Sequence, residues 1–301
     1  MQGEYKMARH FPSLRESIDP KVHTSMFIQD VALPVVPTRV FVGDKECEIE
    51  MTGAEENVAK AINLLSEFSS ESNGGVQSVV AGAINDIASN LAWSGEIFYE
   101  LVDRGDGGIV PNQFTSQRLF RSPWFVFQAI PKADRDLWGK KYGFLWSNQV
   151  WSVAIPDALG GHSEYARVLR RLARYDSMGP DFFRAEIEKG EIDKEFNFDE
   201  YSANVDIYVN LATKKWGWNR RDSSQRRTTE YYYVYRTAQF HRAKAVLREH
   251  ILGELNKLLK KLKIDCKVSI KGVVSSEEIA ANIEALEAGE IGFEEVAQLL
   301  A

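Results

Sequence analysis

The sequence predicts an α+β fold, and three patterns in it carry that prediction. Apolar residues recur every three or four positions over 76–93 and again over 240–262, the periods of amphipathic helices. Apolar and polar residues alternate around 47–51 and 264–270, the period of half-buried strands, and 96–102 follows Gly95 as a further strand. A short helix–glycine–helix pattern around Gly289 closes the sequence.

Taken in chain order, Val40, Val42, Cys47, Ile49 and Met51 alternate with Glu46, Glu48 and Glu50 across Gly43-Asp44, which predicts a hairpin. Thr52 and Glu55 have the spacing of a capping box, opening a helix whose buried stripe is Val58, Ile62, Leu65 and Phe68. Val76, Val80, Ala83, Ile87 and Leu91 form the core stripe of the next helix, with Gly95 as its stop and 96–102 as a strand. The run 103–108 holds three glycines and reads as a tight turn.

The stretch 124–156 reads as largely β, and its tryptophans are expected in a core or an interface rather than a ligand site. Residues 165–175 predict a basic amphipathic helix with Val168, Leu169 and Leu172 on one face. The acidic run 186–195 is expected as an exposed helix-turn segment. Strands are expected at 205–211 and at 231–235, joined by a basic loop into a β-ribbon. Phe240, Ala243, Leu247, Ile251, Leu255, Leu258 and Leu262 then mark a helix of about 28 residues, roughly 42 Å long. Ser275 and Glu278 cap a last helical unit. The organisation expected from this is a mixed region over 1–158, then a helix, basic ribbon and long helix over 159–263, and a C-terminal strand and helical unit over 264–301.

Composition narrows the function classes. At 301 residues, 44% hydrophobic and 27% charged, the chain has the usage of a globular protein with a sizeable core. Cys47 and Cys266 belong to no C-x-x-C spacing, which argues against a disulfide framework or a cysteine zinc site. No apolar run approaches the ~20 residues of a membrane span. The first residues lack the apolar core of a secretory signal, so a reducing aqueous compartment and no membrane partner are expected.

Charge is unevenly placed. Residues 214–271 carry sixteen Lys or Arg against five Asp or Glu, whereas 272–301 hold seven Glu and no Lys or Arg. The basic block is densest where Lys214, Lys215, Arg220, Arg221, Arg226 and Arg227 stand beside Trp216 and Trp218. Phosphate-pairing charge with stacking rings suits a nucleic acid, and the same set suits an arginine-rich contact with an acidic protein surface. These eight residues are the candidate contact site. His10, His23, His162, His241 and His250 have no metal-ligand spacing, and no phosphate loop, dinucleotide fingerprint or nucleophile elbow is present. Neither a catalytic residue, a metal nor a cofactor is therefore expected.

The segment Ala83-Ile84-Asn85-Asp86-Ile87-Ala88, continuing through Leu91-Ala92-Trp93-Ser94-Gly95-Glu96-Ile97-Phe98-Tyr99-Glu100-Leu101-Val102 to Asp106-Gly107-Gly108, resembles the wing region of tailed-bacteriophage portal (head–tail connector) proteins. Gln239 to Asn256 is similar to the long stem helices of that family, and Leu286 to Val296 to its short acidic helical tails. The resemblance implies a homo-oligomeric ring of about a dozen copies at a capsid vertex. Such a ring would conduct double-stranded DNA and bind a packaging motor and head-completion proteins, in a virion or in the host cytoplasm. The basic ribbon would then be a clip-like or DNA-facing element. Two alternatives stand beside it: a nucleic-acid-binding module acting through 214–227, and a metal-dependent nuclease, for which Asp181, Glu186 and Glu188 supply carboxylates.

Overall fold

A computed structural model describes residues 22–37, 47–69, 75–105, 108–114, 119–130, 132, 135–177, 207–220 and 229–300. The fold is α+β, with antiparallel sheets, one 32-residue helix and a small C-terminal helical unit. It divides into two compact units.

The first unit comprises 32–155 and 247–273 in its described part. Strand β1 (Glu48–Gly53) leads into helix α2 (Glu55–Ser66) and helix α3 (Val76–Ser94). Ten residues of α3 are buried between Val79 and Ala92, where Ala and Gly between the branched residues let neighbours approach closely. Gly95 takes φ 73° and donates its N–H to Leu91, so the chain turns at once into β2 (Glu96–Asp103). A hairpin carries β2 into β3 (Ile109–Phe114), with Arg104 N–H donating to the Gly108 carbonyl at 2.8 Å. The strand β7 (Val150–Ala154) pairs on the other side of β2, giving the order β3-β2-β7. Phe68, Tyr99 and Trp151 meet with ring centroids 5.0–5.4 Å apart, which joins the α2 end to this sheet. A third sheet contains β4 (Leu119–Arg121), β5 (Phe125–Ala129) and β6 (Tyr142–Trp146), with the short helix α4 (Arg135–Trp138) between the last two.

The partner of β1 is β8 (Cys266–Lys271), in antiparallel register from Glu48↔Lys271 to Gly53↔Cys266. Two side-chain amides close the outer edges of this two-stranded sheet. Gln77 of α3 accepts from Ile49 N–H at 2.9 Å and donates to the Ile49 carbonyl at 3.1 Å. Asn256 treats Val268 in the same way, at 2.8 and 2.9 Å. Each amide substitutes for an absent neighbouring strand, leaving those edge groups satisfied.

The second unit comprises 156–246 and 274–301, with 19–31 added. Helix α1 (Val22–Ala32) begins against Asp176 at the end of helix α5 (Gly161–Ser177). The Asp176 carboxylate accepts from the backbone N–H groups of His23 and Thr24 and from the Thr24 hydroxyl at 2.6 Å, so it caps α1 from another helix. Phe27, Tyr165, Trp216 and Trp218 form an aromatic core, with ring centroids 5.3–6.0 Å apart. Helix α6 (Glu230–Lys261) gives residues 230–246 to this unit and 247–261 to the other. Helices α7 (Ser276–Ala288) and α8 (Phe293–Leu300) pack on its first part through Ile279, Ile283, Leu286 and Val296 against Val234, Ala238 and Ala245.

Several expectations need correction. Residues 207–212 are helical, not a strand, and Tyr231–Tyr235 form the first turns of α6, so there is no β-ribbon at this place. β-branched and aromatic residues there favoured a strand locally, but a helix lets Val234 and Ala238 reach the α7–α8 core. Helix α2 is capped at Ala54 without a side-chain bond, because Thr52 is already in β1. Of its expected stripe Leu65 and Phe68 are buried, while Ala61 and Leu64 are buried in place of Val58 and Ile62. The strand expected around Ile49 is present, while the proposed hairpin partner at 40–46 lies outside the described residues, as do 186–195. The caps at Ser275 and Gly289 form as expected: Ser275 Oγ accepts from Glu278 N–H at 3.1 Å and Ser275 N–H donates back to the Glu278 carboxylate at 2.8 Å.

Candidate functional surfaces

Of the eight residues singled out by composition, the five that are described do not form one surface. Lys214, Lys215 and Trp216 lie on a single 3-10 turn that enters the second unit's core. Trp216 and Trp218 are 0% and 2% exposed, so their rings are unavailable for stacking on a base, which corrects the aromatic half of the expected site. The indole N–H of Trp218 donates to Asp30 at 2.8 Å, and Phe27 packs edge-on to both rings. Their hydrophobic area is spent inside the fold, where a wide ring contributes most.

Arg236 of α6 holds this turn from below. Its guanidinium donates to the Trp218 carbonyl at 2.8 Å and to Thr213 Oγ1 at 3.3 Å, and it is 2% exposed. Gly217 has φ 69°, and a Cβ there would stand 2.6 Å from the Arg236 carbonyl and 2.4 Å from Gln239 Cβ. The turn can reach α6 only because that side chain is absent. Lys214 and Lys215 remain exposed, whereas Arg220 is half-buried in a left-handed conformation at φ 63°. Arg221, Arg226 and Arg227 lie outside the described residues.

Other cations gather where the sequence pattern gave less warning. In the first unit, Lys260, Lys263 and Lys267 line an open groove of about 830 Å³ together with Thr52, Asn256 and Asp265. The end of α6 and the start of β8 are consecutive in sequence, and their tight connection brings lysines from both to one place. Neighbouring Lys261 instead donates to the Val150 carbonyl at 2.9 Å, and burial lowers its pKa. In the second unit, burial pulls Lys244 down to about 8, with the Asp30 carboxylate opposing that shift.

No family model, curated protein or solved structure matches this chain. The surfaces must therefore be read from their own chemistry. Among the described residues, no three of His, Cys, Asp and Glu converge where a metal ion could sit. No described helix is long and apolar enough to cross a membrane.

The third sheet of the first unit has two unlike faces. Val126, Gln128 and Leu145 are buried, packing with Phe98, Phe114 and Val150. The opposite face is aromatic and open: Phe120, Tyr142, Phe144 and Trp146 are 59%, 55%, 44% and 57% exposed. Register explains this. Phe120 faces Phe127, which faces Phe144, and Phe125 faces Trp146, so the rings line up across three strands. Alternation in 125–129 was visible in the sequence. Which of its two faces is wet was not, because both carry apolar residues.

The end of the chain is acidic throughout. Glu277, Glu284, Glu287, Glu290, Glu294 and Glu295 are exposed on α7, α8 and the turn between them.

Proposed function

We propose that this chain is a structural subunit of a homo-oligomeric ring of the tailed-phage portal type, conducting double-stranded DNA. The resemblance of 83–108, 239–256 and 286–296 to that family supports the reading. The observation that carries it is that cations and carboxylates gather on different parts of the folded chain: an open groove lined by Lys260, Lys263 and Lys267, and helices α7 and α8, whose exposed charges are all carboxylates. A ring is built from heterologous contacts, in which two different surfaces of one chain meet. Segregated opposite charges give such a pair its register and suppress like-with-like pairing.

In this reading the ring contains about a dozen copies. It binds a packaging motor and head-completion proteins and works in a virion or in the host cytoplasm. Lys214, Lys215, Arg220, Arg221, Arg226 and Arg227 then supply contacts to DNA or to a neighbouring protein. No cofactor and no catalytic step is part of this role.

Mass measurement of the purified full chain in solution, with electron images of the particles, tests it. Closed rings are the expected result; a persistent monomer at high protein concentration overturns it. The lysine-lined groove favours a second reading, a nucleic-acid-binding module. That reading expects a monomer or dimer whose DNA affinity falls steeply with salt, with a log–log slope of roughly −3 if three phosphates are neutralised.

A further inference from the structure

We infer that the aromatic face of the β4-β5-β6 sheet is the docking site for helix α7 of a second copy of this chain. The inference rests on the oligomeric reading above and gives that reading a specific contact.

An antiparallel sheet can leave one face to water, but that face is then polar. Here it presents a row of rings, a concentration of apolar surface that marks an interaction site. The rings are turned toward one another: Phe125 and Phe144 have centroids 5.3 Å apart with planes inclined by 27°, and Phe127 and Tyr142 are at 5.1 Å and 27°. One flat face of each of these rings is therefore taken up by its neighbour. A nucleic-acid base needs a free ring face to stack on. Rings already paired in this way have less face to offer a base, and the apolar surface they share suits packing against a protein.

Charge selects the partner. Lys132, Lys140 and Lys141 are exposed at the Ala129–Tyr142 end of the sheet, against one exposed carboxylate among the described residues there, Asp136. Two such faces brought together would oppose lysine with lysine, so a symmetric pairing is disfavoured. The occupant must be acidic and must come close to a ridge of rings.

Helix α7 has both properties on one stripe. Glu277, Ala281, Glu284 and Ala288 follow at steps of four, three and four, and all four are exposed. The alanines allow the helix to lie close on the rings, and the carboxylates reach the lysines. Aromatic face and acidic helix are different surfaces of the same chain, so the contact is heterologous and repeats from copy to copy.

The test uses the full chain and charge reversal on each side. Lys140→Glu with Lys141→Glu makes one variant, and Glu277→Lys with Glu284→Lys makes the other. All four positions are exposed, so each variant should keep the parent's thermal transition. Each alone should weaken self-association by about tenfold, since reversed rim charges repel where they attracted. Mixing the two variants should restore assembly, because both contacts again join opposite charges. Phe144→Ala, which keeps every charge, should also weaken association.

A chain that is monomeric at all concentrations overturns both this contact and the ring. Oligomers unaffected by either variant, or not restored by mixing, overturn the contact alone. Dimers or open filaments that respond to the variants overturn the ring and leave the contact standing. Protection of the aromatic face within a monomer, or by added DNA in place of a second copy, also overturns the contact.

Discussion

Asp176 shows how one side chain can set the start of a distant helix. Its carboxylate is fully buried, and burial by itself raises the pKa. Hydrogen bonds from His23 and Thr24 outweigh that penalty and bring it down to about 2 from an ordinary 3.8. A carboxylate with a depressed folded pKa adds stability that is fully present above its unfolded value. That contribution is lost as pH falls through the folded one. Denaturation measured along an acid series should therefore show stability falling between about 4 and 2. Asp176→Ala, which removes the cap, should be weaker at neutral pH by about 2 kcal/mol, the upper range for such a loss, and should lose less on acidification. Equal acid sensitivity of the two proteins would remove this account.

At the scale of elements, the close approach of the 214–216 turn to α6 depends on Gly217. Replacing it by Ala places a methyl group against the Arg236 carbonyl, backbone that cannot rotate away, at a φ of 69°. The strained backbone and the overlap together should cost about 3 kcal/mol, read as a shift of the denaturant midpoint. Little of this arrangement was legible beforehand. Lys214, Lys215, Trp216 and Trp218 look like an exposed basic-aromatic tip in sequence, since alternating charge and rings is the pattern of a contact surface. Position in the chain cannot say that Phe27 and Tyr165, far away in sequence, complete a core around those rings. By contrast, the stops at Gly95 and Gly289 and the Ser275–Glu278 box were legible, because caps are made by residues a few positions apart.

For the whole molecule, contacts between opposite exposed charges and the stability of each core should respond to salt differently. Screening shortens the reach of a surface charge from about 10 Å at 0.1 M to about 3 Å at 1 M. Raising salt through that range should shift particle mass downward while the thermal transition of the chain hardly moves, since the cores are held by apolar burial. Particle mass independent of salt would argue that charge has no part in assembly.

The sequence by itself determined the class of fold, the positions of α3, β2, β8 and α7, the part of α6 from Phe240 onward, and the uneven placement of charge. All of these follow from periodicity, caps and counting, which are local. Only the tertiary structure decided which face of the β4-β5-β6 sheet is wet, that 207–212 and 231–235 are helical, and that Trp216 and Trp218 are buried. Those outcomes depend on residues brought together from distant parts of the chain, and burial against such partners outweighs the small local preferences between strand and helix.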